Sequence, residues 1–258
     1  MPNHHRVPGR IFNGSVDAAK KSGPALSSTI GPLDYLLLSH NHHFDNLDRT
    51  GCLPSNTKNS TPDPEPGCPT IDSVNANPKR ALLVIDVQNE YFTGKLPITY
   101  PSGSLTNVLC AMDAARANGL PVVAIQHASP QPDAAVFRKG SKEWELQPEM
   151  AARRHDVLIH KSLPGSFTGT ELETWLRERG VETVVIAGYM TQMCCDTTAR
   201  QAMHLSFGVE FLSDGTGTLA IKNDAGEVSD EELHRAILVT QQMRFSRVMK
   251  TGDWIKQL

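Results

Sequence analysis

The chain has 258 residues, 39% of them hydrophobic, a formal net charge of −3 and a pI of about 6.4. That length allows one or two domains at about 150 residues each. The composition excludes a chain disordered throughout, and the charge leaves no basic footprint for nucleic acid or an anionic membrane. No apolar run approaches the roughly 18 residues of a membrane span, and the first residues lack the apolar core of a secretory signal. Five cysteines, without a Cys-x-x-Cys pair, make no disulfide framework, so a reducing, cytoplasmic setting is expected.

Ten of the 17 prolines and half of the ten histidines lie before residue 79. Residues 54–78 are rich in Pro, Ser, Asn, Thr and Gly, with too little apolar surface to offset the entropy of ordering, and read as a linker. Residues 1–53 form an extension and residues 79–258 a folded domain. Within that domain, short apolar runs at Ala81–Val87, Pro121–Gln126, Val157–His160, Thr183–Ala187 and Val209–Leu212 predict strands covered on both faces, with Arg247–Lys250 as a sixth. Helical patterns fall between them: about Leu105–Asn118, stopped by Gly119; Thr168–Arg179, where Thr168 and Glu171 have capping-box spacing; Met193–Ser206; and a last long helix that Ser229 and Glu232 cap and that runs to about Phe245. Strands alternating with helices predict an α/β fold, a three-layer α/β/α sandwich around a mostly parallel six-stranded sheet of Rossmann-like order.

In such sheets, chemistry gathers outside the carboxyl ends of the strands. The first strand ends at Asp86, the third at Lys161, and the fourth runs into Gly188-Tyr189-Met190-Thr191-Gln192-Met193-Cys194-Cys195, a turn that opens a helix. An acid, a base and a thiol are thus expected on one rim. A thiol is nucleophilic as thiolate, and a helix end with a lysine beside it lowers its pKa, so Cys194 is expected to be activated in this way. Asp86 is placed to move the thiol proton, and the Met190–Cys194 turn to offer backbone N–H groups to an oxyanion. Only one of the adjacent cysteines can face the rim, which leaves Cys195 for the core.

The Ala187–Arg200 segment, with Leu82–Asn89 and the stretch from Lys161 to Thr170, resembles the isochorismatase-like cysteine hydrolases. The resemblance covers about residues 79–258. It implies an Asp86–Lys161–Cys194 triad, with Cys194 as nucleophile, an oxyanion hole of the Met190 and Cys194 N–H groups, and a cis peptide at Tyr189–Met190. Nicotinamidases carry an Asp-x-His…His metal cluster after the second strand. This chain has Gln126-His127-Ala128-Ser129 there, so neither a metal nor another cofactor is expected. Isochorismate-cleaving members often lack the cysteine, and its presence favours a carbonyl substrate. The expected activity is cleavage of a C–N bond in a small non-peptide amide through an acyl-thioester, by a homo-oligomer (dimer or tetramer) that binds neither nucleic acid nor membrane.

The alternatives are an isochorismatase-type vinyl-ether hydrolase, a metal hydrolase run from the N-terminal histidines, and a non-catalytic binding module. The loops after the first three strands hold Tyr91 and Phe137 together with the expected substrate contacts Gln88, Phe92, His127, Trp144, Phe167 and Tyr189. At the N-terminus, His40-Asn41-His42-His43-Phe44-Asp45 resembles the first metal motif of the metallo-β-lactamase fold, as a truncated fragment that does not fold alone.

Overall fold

A computed structural model describes residues 79–258. The predicted extension, with His40, His42 and His43, and the 54–78 linker lie outside the described residues. The strands are β1 (Arg80–Ile85), β2 (Val122–His127), β3 (Val157–Lys161), β4 (Thr183–Tyr189), β5 (Gly208–Gly217), β6 (Ile221–Asn223), β7 (Gly226–Val228) and β8 (Arg247–Met249). The helices are α1 (Ser104–Ala117), α2 (Pro148–Ala151), α3 (Leu172–Glu178), α4 (Asp196–His204), α5 (Asp230–Thr240) and α6 (Thr251–Ile255). Six strands form one parallel sheet in the order β3-β2-β1-β4-β5-β8, and β6 and β7 make a separate hairpin.

The continuous apolar runs follow from burial on both faces. Leu82 and Val84 of β1 pack with Val108 and Met112 of α1 and Trp254 of α6. Ala81, Leu83 and Ile85 pack on the other face with Leu172 and Leu176 of α3 and Ala199 and Ala202 of α4. Ala81 to Ile85, five of the six residues of β1, are fully buried. This is the predicted three-layer sandwich, and the order of elements reverses between β1 and β4, the switch point at which such sheets place a ligand.

The local signals explain most element ends. Gly119 has φ +70° just past α1, the left-handed conformation that stops a helix. Ser229 and Glu232 form the predicted capping box at the start of α5. Thr168 and Glu171 do not: α3 starts at Leu172, and Gly169, with φ +69°, interrupts the expected first turn. Thr168 Oγ1 instead accepts a hydrogen bond from Gln201 Nε2 at 2.6 Å. The helix expected over Met193–Ser206 is a π-helical turn, Thr191–Cys195, followed by α4. The last long helix ends at Thr240 and passes into a second π-helical turn to Phe245. The β6–β7 hairpin, α2 and α6 were not expected; each is too short for a periodic signal.

Candidate active site

Asp86, Lys161 and Cys194 converge where their strands end. Lys161 Nζ lies 2.7 Å from Asp86 Oδ2, with both side chains fully buried, and donates a hydrogen bond to Cys194 Sγ at 3.2 Å. It donates a second to the Leu163 carbonyl at 3.2 Å, a contact that no sequence signal announced. The ammonium is therefore aimed by three neighbours at once. Asp86 sits at φ +52°, a left-handed conformation uncommon for a residue with a β-carbon, and such positions cluster where a side chain must be aimed. Its backbone N–H is held by the Ile125 carbonyl at 2.9 Å, and its carboxylate Oδ1 has no hydrogen-bond partner among the described residues.

The thiol is not activated in the way the sequence suggested. Burial, and then the charge of Asp86, push the Cys194 pKa well up, and Lys161 offsets only part of this. The expectation of a depressed thiol pKa considered the helix end and the cation but not the loss of water around the sulfur. Burial draws the Lys161 pKa down, yet Asp86 and Cys194 outweigh it and hold the ammonium charged. Burial thus disfavours a standing thiolate at Cys194, while its neighbours favour the charged form of Lys161. Cys195 is fully buried, as expected, and Tyr189–Met190 is a cis peptide.

Five rings form an unbroken series beside the triad. Phe92 meets Tyr189 at 5.7 Å between centroids, Tyr189 meets Tyr91 at 5.5 Å, Tyr91 meets Phe137 at 5.2 Å, and Phe137 meets His127 at 5.1 Å. Burial first, then the charges of Cys194 and Asp86, push the Tyr91 pKa up. His127 is lowered by burial and then by Lys161, against an opposing effect of Asp86, so its ring is neutral. Its Nδ1 is buried without a hydrogen-bond partner among the described residues.

The remaining expected substrate contacts have partners within the protein, Trp144 Nε1 apart. Gln88 is fully buried: its Nε2 donates to the carbonyls of His127 (3.0 Å) and Trp144 (2.6 Å), and its Oε1 accepts from the His127 N–H (2.9 Å). It braces two loops against each other. Tyr189 is fully buried with its hydroxyl 3.1 Å from Ser104 Oγ, and burial raises its pKa to about 12. Phe167 stacks on Phe207 at 5.9 Å, and Trp144 stacks on His160 at 6.1 Å, though the buried Trp144 Nε1 has no partner among the described residues. Glu90, buried in the loop after β1, carries no sequence signal of its role; its carboxylate accepts from the N–H groups of Lys95 (2.7 Å) and Phe137 (3.2 Å) and so holds the loop that carries Phe137. A surface cavity of about 480 Å³ between Glu90, Lys95, Asp133 and Arg138 contains none of the triad.

Among the described residues no group of three or more His, Cys, Asp or Glu side chains is arranged to hold a metal ion. None of the described helices is long and apolar enough to cross a membrane.

The isochorismatase domain family matches residues 80–253. Nicotinamidase 3 of Arabidopsis thaliana is 32% identical over 178 residues, covering 64% of this chain and 82% of its own. The ureidoacrylate amidohydrolase RutB of Variovorax paradoxus is 27% identical, covering 66% of this chain and 84% of its own. The crystal structure of an isochorismatase-type protein from Burkholderia xenovorans LB400 superposes with a TM-score of 0.68 at 48% identity, covering 69% of this chain and 86% of that one. No support comes from these likenesses for a metallo-β-lactamase-like N-terminus.

Proposed function

The chain belongs to the isochorismatase family, and from that premise we propose that it is a cysteine hydrolase cleaving the C–N bond of a small non-peptide amide. The observation that carries this reading is a single buried ammonium, Lys161, in contact with both a carboxylate and a thiol. Two relatives in the family bear the names of amide-hydrolysing enzymes, a nicotinamidase and a ureidoacrylate amidohydrolase.

Cys194 Sγ attacks the amide carbonyl carbon, and its proton passes to the Asp86 carboxylate as the C–S bond forms. A resting thiol whose pKa is raised suits a transfer coupled to attack better than a standing thiolate. The oxyanion meets the backbone N–H groups of Met190 and Cys194. Asp86, now protonated, gives its proton to the leaving nitrogen, which departs as ammonia or an amine and leaves a thioester. Water then attacks the thioester with Asp86 again as base; the carboxylic acid is released and the proton returns to sulfur. Lys161 stays charged throughout and stabilises whichever of its neighbours is anionic. His127 and Phe92, at the ends of the ring series, are the groups offered to the rest of the substrate, with Trp144 Nε1–H as a further donor. In this reading the protein works in a reducing cytoplasm as a homo-oligomer and requires no cofactor.

The test is ammonia release from a panel of small primary amides, with isochorismate as the vinyl-ether control. The wild type is expected to release ammonia and to show a thioester mass on the Cys194 peptide. Cys194→Ala abolishes both, and Asp86→Asn slows turnover by about 10²–10⁴-fold, the usual contribution of general acid–base catalysis. Cleavage of isochorismate that survives Cys194→Ala would overturn the amidase reading.

A further inference from the structure

The geometry points to His234 as a positioning residue for Cys194, acting through Thr191 at the head of the nucleophile turn. This rests on the reading of Cys194 as nucleophile.

Thr191 and His234 are both buried, at 0% and 4% exposure, and lie 43 residues apart in the chain. Thr191 Oγ1 stands 2.9 Å from His234 Nδ1, and His234 Nε2 stands 2.9 Å from the Ser213 carbonyl oxygen on β5. A carbonyl oxygen only accepts. The Nε2 therefore carries the ring proton, Nδ1 is bare, and the Thr191 hydroxyl must donate to it. Burial lowers the His234 pKa, against the opposing effect of the Ser213 bond, which keeps the imidazole in this neutral form. The Tyr100 ring meets the His234 ring edge-on at 5.4 Å and closes a further side of it.

One imidazole thus ties the nucleophile turn to the neighbouring strand. The adjacent residue repeats the device: Gln192 Oε1 accepts from Thr218 Oγ1 at 2.7 Å, just beyond the end of β5. Between them the turn bends tightly, with the Met190 carbonyl accepting from the N–H groups of Met193 (3.1 Å) and Cys195 (3.2 Å). Thr191 sits between Met190, whose N–H is assigned to the oxyanion in that reading, and Cys194. Anchoring its hydroxyl sets the rotation of the turn and with it the line along which the sulfur approaches a carbonyl. Misalignment of about 1 Å is enough to slow a reaction markedly.

The experiment uses the full chain and p-nitrophenyl acetate, an activated acyl donor that reports acylation by its p-nitrophenolate burst, with Cys194→Ala as the blank for other thiols. Thr191→Val and His234→Leu are expected to lower the acylation rate constant about five- to tenfold, as for one lost hydrogen bond, with the half-saturating ester concentration unchanged. Thr191→Ser and His234→Asn, which keep a hydroxyl and an acceptor, restore the rate to within about twofold of wild type on the same scale. The Thr191→Val/His234→Leu double variant is no slower than the slower single, because the two residues share one interaction. Protection of the buried Cys195 from iodoacetamide monitors the fold in each case. An unchanged rate in Thr191→Val overturns the inference, and so does exposure of Cys195 in that variant, which would make the pair structural. Absence of any burst at Cys194 in the wild type would instead remove the nucleophile reading, and this inference with it.

Discussion

Gly188 packs so closely on Ile85 that a β-carbon built on it would stand 2.0 Å from the Ile85 carbonyl oxygen. Ile85 is the residue before Asp86, and Gly188 leads through Tyr189 and Met190 into the turn that carries Cys194. The spacing of acid and thiol is thus set by a backbone-to-backbone contact between β1 and β4, and Gly188 also holds φ +113°. Gly188→Ala is expected to separate the strands or fail to fold. The loss should exceed the roughly 0.5–1 kcal/mol range of ordinary glycine effects, because both the clash and the left-handed backbone oppose it. Urea unfolding measures this.

Asp86→Asn separates the thiol's ionisation from its use. Asp86 raises the Cys194 pKa by its charge, so removing that charge favours the thiolate paired with Lys161. Iodoacetamide should alkylate Cys194 faster in Asp86→Asn than in wild type at the same mildly alkaline pH, while amide hydrolysis falls. Slower alkylation would mean that Asp86 assists ionisation of the resting thiol.

Lys161→Met leaves a fully buried carboxylate without its cation. Breaking a buried ion pair from one side costs about 3–5 kcal/mol, so a marked fall in the denaturant midpoint is expected. In the same variant Cys194 alkylation slows at neutral and mildly alkaline pH, because Lys161 is the group that lowers the thiol's pKa. The double variant Lys161→Met/Asp86→Leu should recover much of the stability and none of the activity.

Stability should fall on the acid side through two histidines. His127 and His234 both have pKa values lowered by burial in the folded protein. The unfolded chain takes up protons at these sites first, as pH drops through the ordinary histidine value of about 6.5. Their contribution is complete above that pH and is lost progressively below it. Urea midpoints measured from neutral pH downward should decline, and His127→Gln should flatten part of the decline. A flat wild-type profile over that interval would show that neither ring is held neutral.

The strands, the parallel sheet and the meeting of Asp86, Lys161 and Cys194 at its rim were legible because each depends on local pattern. A strand buried on both faces must be apolar throughout, as Ala81–Ile85 is, and a glycine or a capping box ends or starts a helix within a few residues, as Gly119 and Ser229 with Glu232 do. The rule that ligands meet strand ends then singles out Asp86, Lys161 and Cys194 without coordinates. The cap at Thr168 failed for a reason equally local but hidden: Gly169 takes a left-handed conformation, and Thr168 finds Gln201, 33 residues away. What folding settled is whatever depends on water being removed or on segments meeting from afar. The thiol's ionisation belongs here, since burial outweighs the cation beside it. The diversion of Gln88 to backbone carbonyls and the tie from Thr191 to His234 belong here too, because hydrogen bonds between distant residues leave no periodicity along the chain.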